Sequence, residues 1–260
     1  DDNNPTFGPE SQTRFKMGKI ISTELIGGIK FSKNFTVPTL SKPAALEWGL
    51  EYRHNTYQIG AGDYQSWAQG PYYNGLNSPG STGYNGFQPT NAGNWSRDIF
   101  DGHVGLDFFV TPKWEWTLGG HVVNYSDTVT APTGSIGTRY NFTKTFAVHA
   151  NVNTGYRPPT LGAIHYDATS SGPGYTTVNL SETSEVARLL GAHAPKGEYS
   201  RSYSIGIDYR PIPSLQLTLD AYRIDINDRI ESTSAFTGST MAAYLAAQGV
   251  GSNITYASYM

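Results

Sequence analysis

The feature that most constrains the fold of this 260-residue chain is a strict alternation of apolar and polar residues in several segments. From Phe100 to Val110, every second position is apolar or glycine, while Asp101, His103 and Asp107 lie between them. Successive side chains of a β-strand point to opposite faces, so the pattern predicts strands with one apolar and one polar face. The same alternation recurs in segments 46–53, 114–126, 135–142, 145–156, 200–209 and 215–227, and more weakly in 15–25. The sequence therefore predicts about eight strands and an all-β fold.

The lengths of the connecting segments narrow the architecture. The links at 111–113, 143–144 and 210–214 are short enough to join antiparallel strands as hairpins. The segments at about 61–97 and 157–199 are long. This alternation of short and long connections is typical of outer-membrane barrels, which have short periplasmic turns and long extracellular loops. We therefore predict an antiparallel transmembrane β-barrel. A soluble sandwich or propeller has similar strand patterns and is the alternative.

The polar face of the predicted strands favours the barrel. Its charged and amide side chains would need partners in a dry sandwich core, whereas a wet or plugged lumen satisfies them. These residues are Asp101, His103, Asp107, Glu115, Arg139, Asn151 and Asp208. Aromatic residues also collect near the short turns, as an interfacial girdle requires. They are Phe108, Phe109, Trp114, Trp116, Tyr140, Phe142 and Phe146.

Composition excludes several other classes of protein. Cysteine is absent, so there are no disulfides, thiolate metal sites or cysteine nucleophiles. The net charge is −3 and no basic stripe is present, which argues against nucleic acid as a partner. The six histidines have no His-x-x-x-His spacing, and a Gly-x-Ser-x-Gly elbow is absent. We therefore predict no enzyme activity, no bound metal and no cofactor.

Three segments carry a resemblance to a known family. Gly155-Tyr156-Arg157-Pro158-Pro159-Thr160-Leu161, at a predicted extracellular strand end, resembles a Gly-Phe-Arg-Ala-Pro-(Ser/Thr)-Leu motif of TonB-dependent receptors. Segment 198–206 resembles the family's Lys-Pro-Glu-Lys-Ser region, although the order Pro195-Lys196-Gly197-Glu198 departs from it. Segment 222–230 is similar to the family's Tyr-(Arg/Lys)-Ile-Asp-Ile-Asp-Asp-Arg-Ile. The three motifs follow in the family's order.

The resemblance implies a receptor in the outer membrane of a Gram-negative bacterium. Such receptors take up a scarce small-molecule ligand, by default a ferric siderophore or an oligosaccharide, and TonB with its inner-membrane energising complex drives the uptake. A passive porin-like or structural barrel is the alternative. We expect residues 1–260 to be an internal piece of the barrel domain, because no plug domain, TonB-contacting peptide or closing strand is visible. About eight strands also fall short of the roughly 22 strands of plugged transporters.

The candidate ligand-binding residues lie in the two long loops. Loop 61–97 mixes aromatic residues with Gly, Asn, Ser and Pro, and aromatic rings can stack on a planar ligand or a sugar. Loop 157–199 adds a histidine–tyrosine pair and a predicted short helix near 182–190. The candidates are Trp67, Tyr72, Tyr73, Tyr84, Trp95, His165 and Tyr166. The alternative is that these aromatic residues only order the loops or lie near lipid headgroups.

Overall fold

The architecture follows from antiparallel pairing of long alternating strands. The structure, a computed structural model, describes residues 2–172, 175–181, 183–193, 196–248, 254 and 256–259. Eight strands form one sheet in the order β1-β2-β3-β4-β5-β6-β9-β10, and each adjacent pair is antiparallel. Their bounds are β1 Lys19–Phe35, β2 Ala44–Gly60, β3 Gly93–Thr111, β4 Trp114–Tyr125, β5 Thr130–Asn141, β6 Phe146–Arg157, β9 Glu198–Ile212 and β10 Leu215–Asn227. The predicted antiparallel sheet of about eight strands is confirmed.

The connections sort onto two rims, as predicted. One rim carries the short turns at 112–113, 142–145 and 213–214, together with the eight-residue link 36–43. The opposite rim carries the long segments 61–92 and 158–197 and the tight turn at 126–129. The predicted boundary at 97 is wrong, because β3 begins at Gly93 and residues 93–97 pair with the end of β2. We call these edges the short-turn rim and the long-loop rim.

The outward face of the sheet is apolar and open to its surroundings. Leu25, Leu50 and Leu219 each expose about two-thirds of their surface, at 67%, 63% and 68%. A soluble protein would cover such a face with a second layer, whereas lipid covers it in a barrel. The outward face therefore has the chemistry of a bilayer contact.

Aromatic rings mark the edge of this apolar face next to the short-turn rim. Trp114, Trp116, Tyr140, Phe142, Phe146 and Tyr209 form an unbroken series of ring contacts across β4, β5, β6 and β9. The centroids of neighbouring rings in this series lie 4.7–6.4 Å apart. The series lies next to the short turns, where a membrane-interface girdle is expected.

The inward face carries the polar side chains, and many of them are paired. Asp101, only 5% exposed, is contacted by His121 and lies 3.6 Å from both Arg53 and His103. Arg139 binds Asp208 on the neighbouring part of the wall. Pairing offsets the cost of removing these charges from bulk water.

A second, smaller sheet joins part of segment 158–197 to residues that follow β10, and it was not predicted. Its strands are β7 Ala168–Gly172, β8 Tyr175–Leu180, β11 Phe236–Thr237 and β12 Tyr256–Tyr259, in the order β11-β12-β8-β7. The described residues also include four short α-helices, α1 Tyr64–Trp67, α2 Leu161–His165, α3 Glu185–Leu189 and α4 Ser239–Ala247, and two 3-10 helices, Pro5–Glu10 and Pro89–Asn91. The helix predicted near 182–190 corresponds to α3, although residue 182 lies outside the described residues. In the described part of the chain, no helix is long and apolar enough to cross a bilayer.

Substitutions at two neighbouring residues of β9 test which face of the sheet meets lipid. Ile205 points outward and is 57% exposed, whereas Ser204 points to the inward face. We expect Ile205→Arg to destabilise the folded barrel by about 2–4 kcal/mol, because it places a charge near the middle of the lipid band. Ser204→Arg, the matched control, should cost much less. Urea titration of the complete protein in lipid vesicles measures both, and equal losses would contradict the assignment of faces.

Candidate ligand-binding site

The strands of the sheet are longer than a bilayer requires. A transmembrane strand needs about 9–11 residues, but β2 has 17 and β3 has 19. The outward rings of Tyr52 and Phe100 contact each other, with centroids 5.1 Å apart, and beyond them the outward residues become polar. Phe100 lies about 27 Å along β3 from Phe108, at about 3.4 Å per residue. The strand ends beyond Phe100 therefore form a wall outside the lipid band.

A cavity of about 500 Å³ lies against the inward side of this wall. The ends of β1–β4 and the segment that follows β6 enclose it. Its lining includes three arginines and one glutamate among hydroxyl, amide and tyrosine side chains. The lining residues on which the site depends are Arg53, Asn55, Tyr57, Arg97, Tyr125 and Arg157. Such a cavity offers several hydrogen-bond donors and two aromatic rings to an anionic or polar ligand.

The three arginines differ in how firmly they are held. Arg97 is buried, with 4% of its side chain exposed, and its Nε donates to Asp127 Oδ1 at 2.6 Å. Arg53 lies 2.8 Å from Glu51 Oε1. Arg157 is the most accessible, with 70% of its side chain exposed and a long 3.5 Å contact to Glu198. Arg157 is therefore the arginine most available to a ligand.

Aromatic stacking joins β3 to the segment after β6. The rings of Trp95 and His165 are nearly parallel, 7° apart in orientation and 4.6 Å between centroids. Tyr57, opposite Trp95 in the β2–β3 register, continues the stack at 6.2 Å. Burial lowers the pKa of His165, and the nearby Arg97 acts in the same direction, whereas Asp127 and Asp167 oppose it. The neutral imidazole is the form that this stack favours.

Tyr166 belongs to the same cluster. Its ring meets Phe87 edge-on at 6.0 Å, and its hydroxyl hydrogen-bonds to Tyr84. Burial, followed by this hydrogen bond, raises the pKa of Tyr166 to about 12. Two adjoining contacts thus bring together four of the predicted binding residues. Trp95 contacts His165, and Tyr84 contacts Tyr166. Trp95 lies in β3, and its prediction as a loop residue is wrong.

The other predicted binding residues lie on a separate part of the long-loop rim. Trp67 packs edge-on against Tyr64, which meets Phe7 of the N-terminal segment. Asn4, fully buried, donates from Nδ2 to two backbone carbonyls of segment 65–68. These contacts join the N-terminal segment to the loop, and the ligand-binding role of Trp67 stays a prediction. Tyr72 and Tyr73 are exposed at its surface.

Sequence reasoning missed the charged part of the site. Arg97 lay inside a predicted loop, and Tyr57 lay beyond the recognised alternation. Tyr125 lay in the predicted strand 114–126 but was not identified as a site residue. One signal was available, because the Pro158-Pro159 pair belongs to a motif that resembles the family. Among the described residues, no group of three or more His, Asp or Glu side chains is arranged to hold a metal ion.

The exposed apolar outward face, the paired polar inward face and the sorted rims define a segment of an antiparallel transmembrane β-barrel. Residues 3–257 match the family described as TonB dependent receptor-like, beta-barrel, so the chain belongs to that family. TonB-dependent receptors are outer-membrane transporters of Gram-negative bacteria. A comparison with curated proteins finds no significant match.

Solved structures share this fold. The ferric enterobactin receptor PfeA from Pseudomonas aeruginosa aligns with a TM-score of 0.59 at 17% identity, over 92% of this chain and 31% of that one. A PfeA complex with enterobactin gives 0.59 at 15% identity, with the same coverage. The siderophore receptor PirA from Acinetobacter baumannii gives 0.56 at 16% identity, over 85% and 30%. The chain thus spans about a third of the length of these receptors.

The Trp95–His165 stack should respond to pH. The folded-state pKa of His165 is lowered, so its contribution to docking is fully present above the unfolded pKa of about 6.5 and is lost as the pH falls below it. We expect acrylamide to quench Trp95 more strongly at pH 5.5 than at pH 7.5. The Trp95 signal is the difference between the wild type and Trp95→Phe. A His165→Asn variant should show no such pH dependence, and an unchanged pH response in that variant would contradict the assignment.

Proposed function

We propose that this chain forms part of an outer-membrane receptor that takes up a ferric siderophore with energy delivered through TonB. Family membership supports the receptor class. The observation that carries the ligand class is the cavity with Arg53, Arg97 and Arg157 on the extracellular part of the inward wall. TonB and its energising complex, outer-membrane lipid and the siderophore are the proposed partners. We assign the chain no enzymatic role.

The chemistry of the cavity matches an iron chelate. Fe³⁺ is a hard cation that is held by anionic oxygen donors, and many of its chelates keep a net negative charge. Arginine offers a rigid array of N–H donors to such oxygens. Tyr57 and Tyr125 add flat surfaces on which planar chelating rings can stack. The ferric enterobactin receptor PfeA and the siderophore receptor PirA, which share this fold, agree with this ligand class.

An oligosaccharide is the second candidate ligand. The observation in its favour is the set of exposed rings at the surface of segment 61–92, where Tyr64, Tyr72 and Tyr84 are 62%, 56% and 53% exposed. Exposed rings of this kind can stack on sugar faces. A neutral sugar would not need the three arginines, so we favour the siderophore.

Iron uptake by cells tests the proposal. The complete gene that encodes this chain is expressed in a Gram-negative host that lacks its own siderophore receptors, with and without TonB. We expect accumulation of radioactive iron from at least one catecholate or hydroxamate chelate, and only when TonB is present. Uptake without TonB would support the passive porin instead. Growth on oligosaccharides with no iron uptake would support the second ligand class.

Arg157 provides a sharper test of the cavity. We expect Arg157→Gln to weaken binding of the transported chelate about tenfold, as loss of one charge-assisted hydrogen bond of about 1.4 kcal/mol would do. Arg201→Gln is the matched control, because Arg201 lies on the outward face and is exposed. Equilibrium binding to the purified receptor measures both variants. Equal affinities for the two variants would place the ligand elsewhere.

A further inference from the structure

Arg97 connects three separate parts of the chain. It lies near the start of β3, its Nε donates to Asp127 in the turn between β4 and β5, and its Nη1 donates to the carbonyl of Pro159 at 2.8 Å. Its guanidinium also lies over the ring of Tyr125, 5.8 Å from the centroid. With only 4% of its side chain exposed, this charge is one of the most buried on the wall.

The carbonyl that Arg97 binds belongs to a wall of the cavity. Pro159 is almost fully buried, and the residues on either side of it, Pro158 and Thr160, line the cavity together with Leu161 and Gly162. Thr160 then caps α2, since its Oγ1 accepts a hydrogen bond from the Ala163 amide. The position of Pro159 therefore sets where α2 begins.

The far end of α2 is attached to the same strand. His165 stacks on Trp95, which lies two residues before Arg97 on the same face of β3. Arg97 thus fixes the start of segment 159–165, and Trp95 contacts its end. Two adjacent inward side chains of one strand hold this short segment against the barrel wall.

The contacts of Arg97 require an arginine. Its two donors point to acceptors on different segments, an arrangement that the planar guanidinium provides and a lysine ammonium does not. The buried charge is offset by the Asp127 carboxylate. The remaining nitrogen, Nη2, is buried and has no hydrogen-bond partner within the described residues.

We propose that Arg97 is a positioning residue of the ligand site, which holds segment 159–165 against β3 through Asp127 and Pro159 and so fixes one wall of the cavity. The identity of the ligand rests on the proposed function, but the position of the segment does not. The inference therefore has a readout that needs no ligand.

Amide hydrogen exchange in the complete purified receptor provides that readout. Ala163, Ile164 and Tyr166 donate their amides within the 160–166 segment, so their exchange reports its order. We expect Arg97→Lys to speed exchange of these amides at least tenfold and to weaken binding of the transported ferric chelate by a similar factor. Arg201→Lys is the matched control and should change neither quantity.

Asp127→Asn separates positioning from direct ligand contact. This variant keeps the guanidinium but removes its buried partner, so exchange of the three amides should rise and affinity should fall, as in Arg97→Lys. If Arg97→Lys lowers affinity while exchange stays at the wild-type rate in both variants, Arg97 contacts the ligand directly and the proposal is overturned. Faster exchange with unchanged affinity overturns it as well. The proposal is also overturned if Arg97→Lys shows both wild-type exchange and wild-type affinity.

The outcomes also separate this inference from the proposed function. If the receptor binds no siderophore but its amides exchange faster in both variants, the proposed ligand class is wrong and the role of Arg97 in holding segment 159–165 still stands. Affinity is then measured with the oligosaccharide that supports growth. Mobility of unheated samples in gel electrophoresis checks that each variant folds. Asp127→Asn leaves the arginine in place and serves as the milder variant if Arg97→Lys does not fold.

Discussion

The structure depends on one constraint, which is that every backbone N–H and C=O group within the lipid band must have a partner. An unpaired group there costs several kcal/mol, and water is not available to satisfy it. Antiparallel pairing on both sides meets this requirement for the six inner strands of the eight-stranded sheet, from β2 to β9, while β1 and β10 are paired on one side. The pairing also forces side chains to alternate between faces. A chain that meets lipid on one side must then be apolar at every second position, which explains the outward row of leucine, isoleucine and aromatic residues.

The same pairing produces the wall of the candidate site, because it does not stop at the edge of the membrane. β2 and β3 stay in register from Ala45 and Asp107 to Ile59 and Gly93. Beyond Tyr52 and Phe100, lipid no longer dictates the outward residues, yet the strands keep the rigidity of the sheet. Inward side chains on this extension have defined positions relative to one another. A ligand site on such a wall is better ordered than one built from loops alone.

Sequence alone predicted the parts of the fold that repeat. Eight strands, their pairing, the sorted rims and the aromatic row near Trp114 follow from period-two alternation and connection length. The strand ends were missed because the alternation signal requires an apolar face, and residues 93–99 have polar side chains outward where lipid is absent. This is why Trp95 was predicted to lie in a loop. The small sheet formed by β7, β8, β11 and β12 was missed because its strands have only two to six residues and because the pairing of β8 with β12 joins segments far apart in sequence.

The candidate site was likewise predicted only in part from the sequence. Aromatic composition pointed to Tyr84, Trp95, His165 and Tyr166, which lie in one cluster, but it could not separate them from Trp67, which packs on Tyr64 in another part of the rim. Arg97 carried no local signal, because its role depends on Asp127 and on a carbonyl 62 residues away. Contacts of this kind are properties of the folded wall. Only the motif resemblance marked the segment of Pro159, one of the two segments that Arg97 joins to β3.

Arg53 links the cavity to the interior of the barrel. It lines the cavity, and it also lies near Asp101, which His103 and His121 contact further down the wall. The space for His103 exists because residue 49 is glycine, since a Cβ there would lie 2.7 Å from the imidazole. An anion that draws Arg53 toward the cavity must therefore compete with carboxylates that already hold it. That competition limits how tightly Arg53 can retain the proposed anionic siderophore. Such a limit suits a transporter, because a transporter must release its ligand as well as capture it.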